Sequence, residues 1–186
     1  MELQGERLIP APVEVTWKAL NDPEVLKASI TGCESIEHAG DDAYSALVAV
    51  RVGPVSARFK GNLKLADVKP PTSYTIHFDG QGGVAGFGKG SADVVLADDG
   101  GQTRLTYRAK AQVGGKLAQI GSRLVDAAAA KFTEEFFVAF DNRVRAEVGV
   151  SVAPPEASAK VAGRSMALWW MIGALVVLAV IYFLTR

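Results

Sequence analysis

Apolar residues recur along this 186-residue chain in two rhythms, and their order predicts the architecture. Leu3 to Ile9 predicts a first strand, which Pro10 and Pro12 break. Val13, Trp17 and Leu20 stand three or four apart, so Val13 to Leu20 predicts a short helix. Asn21, Asp22 and Pro23 punctuate the chain, and a second short helix follows through Val25, Leu26 and Ile30 to a stop at Gly32. A period of two then takes over. Tyr44, Ala46, Val48, Val50 and Val52 share one face. Val55, Ala57, Phe59, Gly61, Leu63 and Leu65 share another, with Ser56, Arg58, Lys60, Asn62 and Lys64 opposite. Tyr74, Ile76 and Phe78 follow, then Ala92, Val94 and Leu96, then Leu105, Tyr107, Ala109 and Ala111. The turns between them carry Gly, Pro and Asp, as at Gly53-Pro54 and Asp98-Asp99-Gly100-Gly101.

The helical rhythm returns from about Lys116 to Glu147. Leu117, Ile120, Leu124, Ala128, Phe132, Phe136 and Phe140 form one apolar stripe, which predicts a single long helix. Strand, two small helices, an antiparallel meander and one long final helix make an α+β fold. A curved sheet wrapped around one helix does not fill its own concavity. It leaves an apolar hollow of the kind that binds small molecules. Small residues in mid-helix, Gly121, Ala127 and Ala128, enlarge that hollow. The expected sheet wall is Phe59, Leu63, Tyr74, Ile76, Phe78 and Tyr107, with a Tyr74 or Tyr107 hydroxyl to orient a ligand oxygen. The expected helix wall is Leu117, Ile120, Gly121, Leu124, Ala128 and Phe132, and Phe87 is the expected tip of a flap at the mouth.

A third pattern closes the chain. Met166 to Leu184 reads MALWWMIGALVVLAVIYFL, with no charge. Its length matches a hydrocarbon core of roughly 30 Å at 1.5 Å per residue. Trp169 and Trp170 near one end and Tyr182 near the other suit the two interfaces. The expectation is a single C-terminal transmembrane helix over residues 165–186. Residues 148–164, rich in Ala, Pro, Ser and Gly, would form a flexible linker from a ligand-binding domain over residues 1–147. The N-terminus carries charges and a proline where a signal peptide would be apolar. Lys160 and Arg164 precede the apolar segment and Arg186 follows it, which places the soluble domain on the cytoplasmic side of the cell membrane, tail-anchored by one pass.

Charge and candidate chemistry narrow the function. The formal net charge is zero, so no basic excess points to nucleic acid. Cys33 is the sole cysteine, which excludes an internal disulfide. Gly83 to Gly90 spells most of a phosphate-binding loop, but Gly90 follows Lys89 where Ser or Thr should hold magnesium, and a strand follows where a helix should. His38 and His77 lack partners at metal-ligand spacing, so no metal is expected. Asp41-Asp42 and Asp98-Asp99 fall in turns, and Glu134-Glu135 lies on the polar side of the long helix. An interior so poor in titratable groups argues for binding over catalysis, so no catalytic residue and no covalent cofactor are expected.

Several stretches in order resemble the family of carbon monoxide dehydrogenase G subunits, within the START-like, helix-grip (Bet v 1-like) superfamily. They are Ala11-Pro12-Val13-Glu14-Val15-Thr16-Trp17 with Asn21 to Leu26, Gly32-Cys33-Glu34-Ser35-Ile36, and Val52-Gly53-Pro54-Val55 with Phe59-Lys60-Gly61. Gly86 to Gly90, Gly121 to Val125 and Phe136-Phe137 complete the likeness, over roughly residues 1–146. Thr31 stands where the family pattern has proline. The resemblance implies a partner, a molybdenum hydroxylase of the carbon monoxide dehydrogenase type, and a role in coupling it to the lipid bilayer. Together with the apolar tail it implies an isoprenoid quinone as the lipophilic ligand. Two rival readings remain: a recruitment or assembly protein with no ligand role, and a cyclase-like enzyme of the same superfamily.

Overall fold

The computed structural model describes residues 1–149. The strands are β1 (Glu2–Ile9), β2 (Cys33–Gly40), β3 (Ala43–Val52), β4 (Val55–Lys69), β5 (Ser73–Gln81), β6 (Phe87–Asp99) and β7 (Gln102–Gly114). The helices are α1 (Val13–Leu20), α2 (Pro23–Ser29), α3 (Lys116–Gln119) and α4 (Ser122–Val148). All seven strands form one sheet in the order β1-β7-β6-β5-β4-β3-β2, and every pairing is antiparallel. Helix α4 touches β1 at one edge of the sheet and β3 beside the other edge. One helix reaches both only because the sheet curves round it.

Local chemistry sets the small helices. Proline at the first turn of α2 follows Asp22, whose carboxylate accepts from the backbone N–H of Glu24 at 2.8 Å and of Val25 at 3.4 Å. A buried hydroxyl pair ties α1 to β7. The Thr103 hydroxyl donates to the Ala11 carbonyl at 2.7 Å and lies 2.9 Å from the Thr16 hydroxyl. Both side chains are fully buried, so each needs this partner.

The alternation read from β3 to β7 is met: inward residues are buried or half-buried and most of their neighbours are exposed, although Ser45, Leu47, Thr75 and Ser91 are half-buried. Strand β2 is an addition. Only Ile36 of its eight residues is buried, so it carries no period-two signal. The expected single helix from Lys116 is two helices. Gly121 sits at φ +92 between α3 and α4, a left-handed setting that favours glycine and ends the first helix.

The expected transmembrane helix is corrected. Residues 165–186, with Trp169, Trp170 and Tyr182, lie outside the described residues, as does most of the expected linker. Among the described residues no helix is long and apolar enough to cross a membrane. Helix α4 has the length, 27 residues, but it carries a charged side chain in nearly every turn. The fold class is α+β, an antiparallel sheet with a C-terminal helix.

One cluster joins β1 to α4. Arg7 donates through Nη1 to the two carboxylate oxygens of Glu134 at 3.1 and 3.2 Å, and its Nε lies 3.5 Å from Asp141. Burial pushes the Asp141 carboxyl up, and the pull of Arg7 in the other direction is smaller. A raised folded pKa means that folding favours the protonated acid. Asp141 therefore contributes stability at low pH that is lost as pH rises through its folded pKa. Asp141→Asn is expected to lose less stability than the natural chain over the window just above the ordinary carboxylate range. Urea unfolding across that window checks this, and identical slopes would contradict it.

Candidate functional site

The interface between α4 and the sheet has two unlike halves. Toward its C-terminus α4 presents Phe136, Phe137, Phe140 and Val144, and the last two are fully buried. They pack on Ile9, Tyr74, Val94, Leu96 and Leu105. Ring centroids lie 5.3 Å apart for Phe136 and Phe137, 5.5 Å for Phe136 and Phe140, and 5.6 Å for Tyr107 and Phe137. This end is full. Toward its N-terminus α4 presents Val125, Ala128, Ala129 and Phe132. Two alanines stand where the other half has phenylalanines, and the missing volume remains as a cavity of about 440 Å³.

The strands add to the hollow. Ala46 pairs with Gly61, Gly61 with Gly80, and Gly80 with Gly88, so four neighbouring strands meet the cavity with a row that has almost no side chains. A Cβ built on Gly88 would meet nothing within 4 Å. Phe59, Leu63 and Phe78 rise beside that row. Val48, Val50 and Val52 of β3, Ala111 and Val113 of β7, Leu117 of α3, and Ile30 close the rest. Asn62 and Asp79 also border it and hydrogen-bond to each other at 3.2 Å. Among the described residues no lysine, arginine or histidine lines the cavity.

The structure brings six of the expected residues together here: Phe59, Leu63, Phe78, Leu117, Ala128 and Phe132. Tyr74, Ile76 and Tyr107 share the inward face but belong to the filled half. Tyr74 stacks edge-on to Trp17 at 5.3 Å, and burial pushes its phenol well up. The Tyr107 ring lies against Gly5. Neither hydroxyl reaches the cavity, so neither orients a ligand there. Face follows from alternation, but the position along the strand decides which half a residue joins.

Leu124 is 50% exposed and lies beside the Gly53 turn, and Ile120 and Gly121 also lie off the cavity wall. Steps of four advance about 40° too far on a helix of 3.6 residues per turn. Over the four steps from Phe140 back to Leu124 the stripe rotates away, and Val125 takes the inward place. Phe87 is no flap over the cavity. Its ring covers Gly114, and the exposed tip of the β5–β6 connection is Val84. The glycines of that connection serve close backbone approach: a Cβ on Gly86 would collide with the Gly114 carbonyl. Sequence reasoning missed Ile30, Ile36, Ala46, Val48, Val50, Val52, Ala111, Val113, Val125 and Ala129 as cavity wall. The inward periodicity of β3 and β7 carried the signal for most of them.

Cys33 is half-buried, and burial pushes its thiol up, away from nucleophilic thiolate. Among the described residues no cluster of three His, Cys, Asp or Glu side chains could hold a metal ion. What the arrangement offers chemically is apolar burial.

A family model for the G subunit of carbon monoxide dehydrogenase (CoxG) matches residues 5–145. No curated protein matches the chain in sequence. A conserved protein from Geobacillus kaustophilus is 30% identical with a TM-score of 0.75, over 79% of this chain and 97% of that one. A Thermus thermophilus protein is 20% identical with a TM-score of 0.61, over 79% and 99%. The Zhui aromatase/cyclase of Streptomyces sp. R1128 is 13% identical with a TM-score of 0.60, over 82% and 99%. At these last two identities the likeness shows the fold alone.

The two halves should respond in opposite ways to substitution. Phe140→Ala is expected to cost about 3–5 kcal/mol by opening the filled half. Ala128→Trp, which fills the hollow, should cost less than the about 1–3 kcal/mol of an overpacked core, and Leu124→Trp should leave stability unchanged. Urea denaturation ranks the three. A large loss in Ala128→Trp would mean that the hollow accepts no added volume.

Proposed function

The chain belongs to the CoxG family, the G subunits of carbon monoxide dehydrogenase, and from that premise we propose that it is a non-catalytic carrier of a lipophilic molecule for a molybdenum hydroxylase of the carbon monoxide dehydrogenase type. The observation that carries this reading is the cavity of about 440 Å³ between the alanine half of α4 and the glycine row of the sheet. Its wall is almost wholly hydrocarbon and has no cationic side chain among the described residues, so it rewards apolar burial, and the Met1 ammonium at its border already donates to the Ala111 carbonyl at 2.8 Å. A group in general acid–base catalysis needs a titratable side chain within reach of its substrate, and Asp79, bonded to Asn62, is the one such side chain on the border among the described residues.

The proposed ligand is an isoprenoid quinone. A hydroxylase that oxidises its substrate must pass electrons onward, and a quinone dissolved in a bilayer is an acceptor that water alone does not deliver. A protein that shelters the quinone's apolar body could take it from the bilayer and present it to the enzyme. On this reading the partners are the bilayer as source and the hydroxylase as recipient.

Titration of the full chain with quinones that differ only in isoprenoid length tests the reading. Each methylene buried contributes about 0.8 kcal/mol, close to a fourfold gain in affinity. Affinity is expected to climb with length and level off once the cavity is full. Flat affinity across the series, or tighter binding of the bare headgroup, would remove the carrier reading and favour recruitment of the enzyme without a ligand.

A further inference from the structure

A second, smaller pocket of about 300 Å³ adjoins the cavity, and the two share Ile30, Val48, Val50 and Phe132. It adds Thr31, Thr133 and Phe136 to those four. Its position follows from the sheet edge. Strand β2 begins at Cys33, which pairs with Val48, and beyond that the chain reaches β3 only through the 2.8 Å bond from the Ala49 N–H to the Gly32 carbonyl. Among the described residues, Val50 to Val52 thus have no strand beside them on that side. The uncovered end of β3 faces α4 where α4 is thin, at Ala128 and Ala129.

The chemistry of the two spaces differs. The inner cavity offers no hydroxyl side chain among the described residues, whereas the outer pocket holds two. The Thr133 hydroxyl donates to the Ala129 carbonyl at 2.9 Å, which leaves its oxygen free to accept. Thr31 is exposed and its hydroxyl makes no hydrogen bond to the described residues, so a ligand head that accepts from it takes the place of water. Neither space presents a lysine, arginine or histidine among those residues.

We propose that the two spaces form one binding site for an amphiphile, with its apolar body in the inner cavity and its uncharged polar head in the outer pocket. Phe132, half-buried and lining both, stands at the junction. Thr31 and Thr133 recognise the head, and they suit a group that both accepts and donates, such as a phenol, a hydroquinone or an alcohol. A carboxylate or phosphate head is disfavoured, because no cationic side chain of the described residues lines either space. This inference rests on the carrier reading and adds the ligand's direction and the residues that select its head.

The test uses two stable probes, 4-decylphenol and decylbenzene, which differ in one hydroxyl. Both are titrated against the full chain and against a double variant, Thr31→Val with Thr133→Val. The variant is expected to weaken 4-decylphenol about fivefold, the factor of one net hydrogen bond, and to leave decylbenzene within about twofold. Thermal unfolding of the variant checks that the fold is kept. If both probes change by the same factor, or 4-decylphenol is unaffected, the head is not recognised here, and this inference falls while the carrier reading stands. If neither probe binds the natural chain, the carrier reading falls as well.

Discussion

A single helix lies against a sheet that curves round it, and everything else depends on how that contact is filled. Helix α4 runs for 27 residues. Its C-terminal half interlocks Phe137, Phe140 and Val144 with Ile9, Leu96 and Leu105, and that packing holds helix and sheet together. Its N-terminal half leaves Ala128 and Ala129 opposite Gly61, Gly80 and Gly88, and that absence of side chains makes the cavity. Close packing is the default of a protein interior, so a hollow of this size needs a rigid frame beside it. The aromatic end supplies that frame, and small side chains at the other end do not collapse onto each other.

The polar groups of the core are spent on structure. Thr16 and Thr103 satisfy each other and the Ala11 carbonyl. Tyr44 donates to the Asn21 carbonyl at 3.2 Å. Arg7 is occupied by Glu134 and Asp141. The hollow is left mostly to hydrocarbon, with Asp79 and Asn62 bonded to each other at its border. Thr31 and Thr133 are hydroxyls of the pocket that adjoins the hollow.

Much of the fold was legible because alternation survives in strands with one buried face. The inward sets of β3, β4, β5, β6 and β7 and the bounds of α1 follow from period alone. Strand β2 was not legible, since an edge strand with one buried residue has no pattern to show. The break at Gly121 was not legible either, because Ile120 and Leu124 keep a helical spacing across it. Of the site, Phe59, Leu63, Phe78, Leu117, Ala128 and Phe132 could be named in advance, whereas Tyr74, Ile76 and Tyr107 could not be told apart from them. Those three share the face but sit where α4 carries phenylalanines.

The sequence by itself determined which residues face inward, that the order of elements is α+β, and that the interior holds almost no titratable chemistry. These follow from local periodicity and composition, which any stretch of chain carries within itself. Tertiary structure decided where the interior is filled and where it is empty. That depends on the pairing of Gly61 with Gly80 and Gly80 with Gly88, and on which turn of α4 lies over them. Residues far apart in the chain set it together, and no window of sequence contains both sides of the contact.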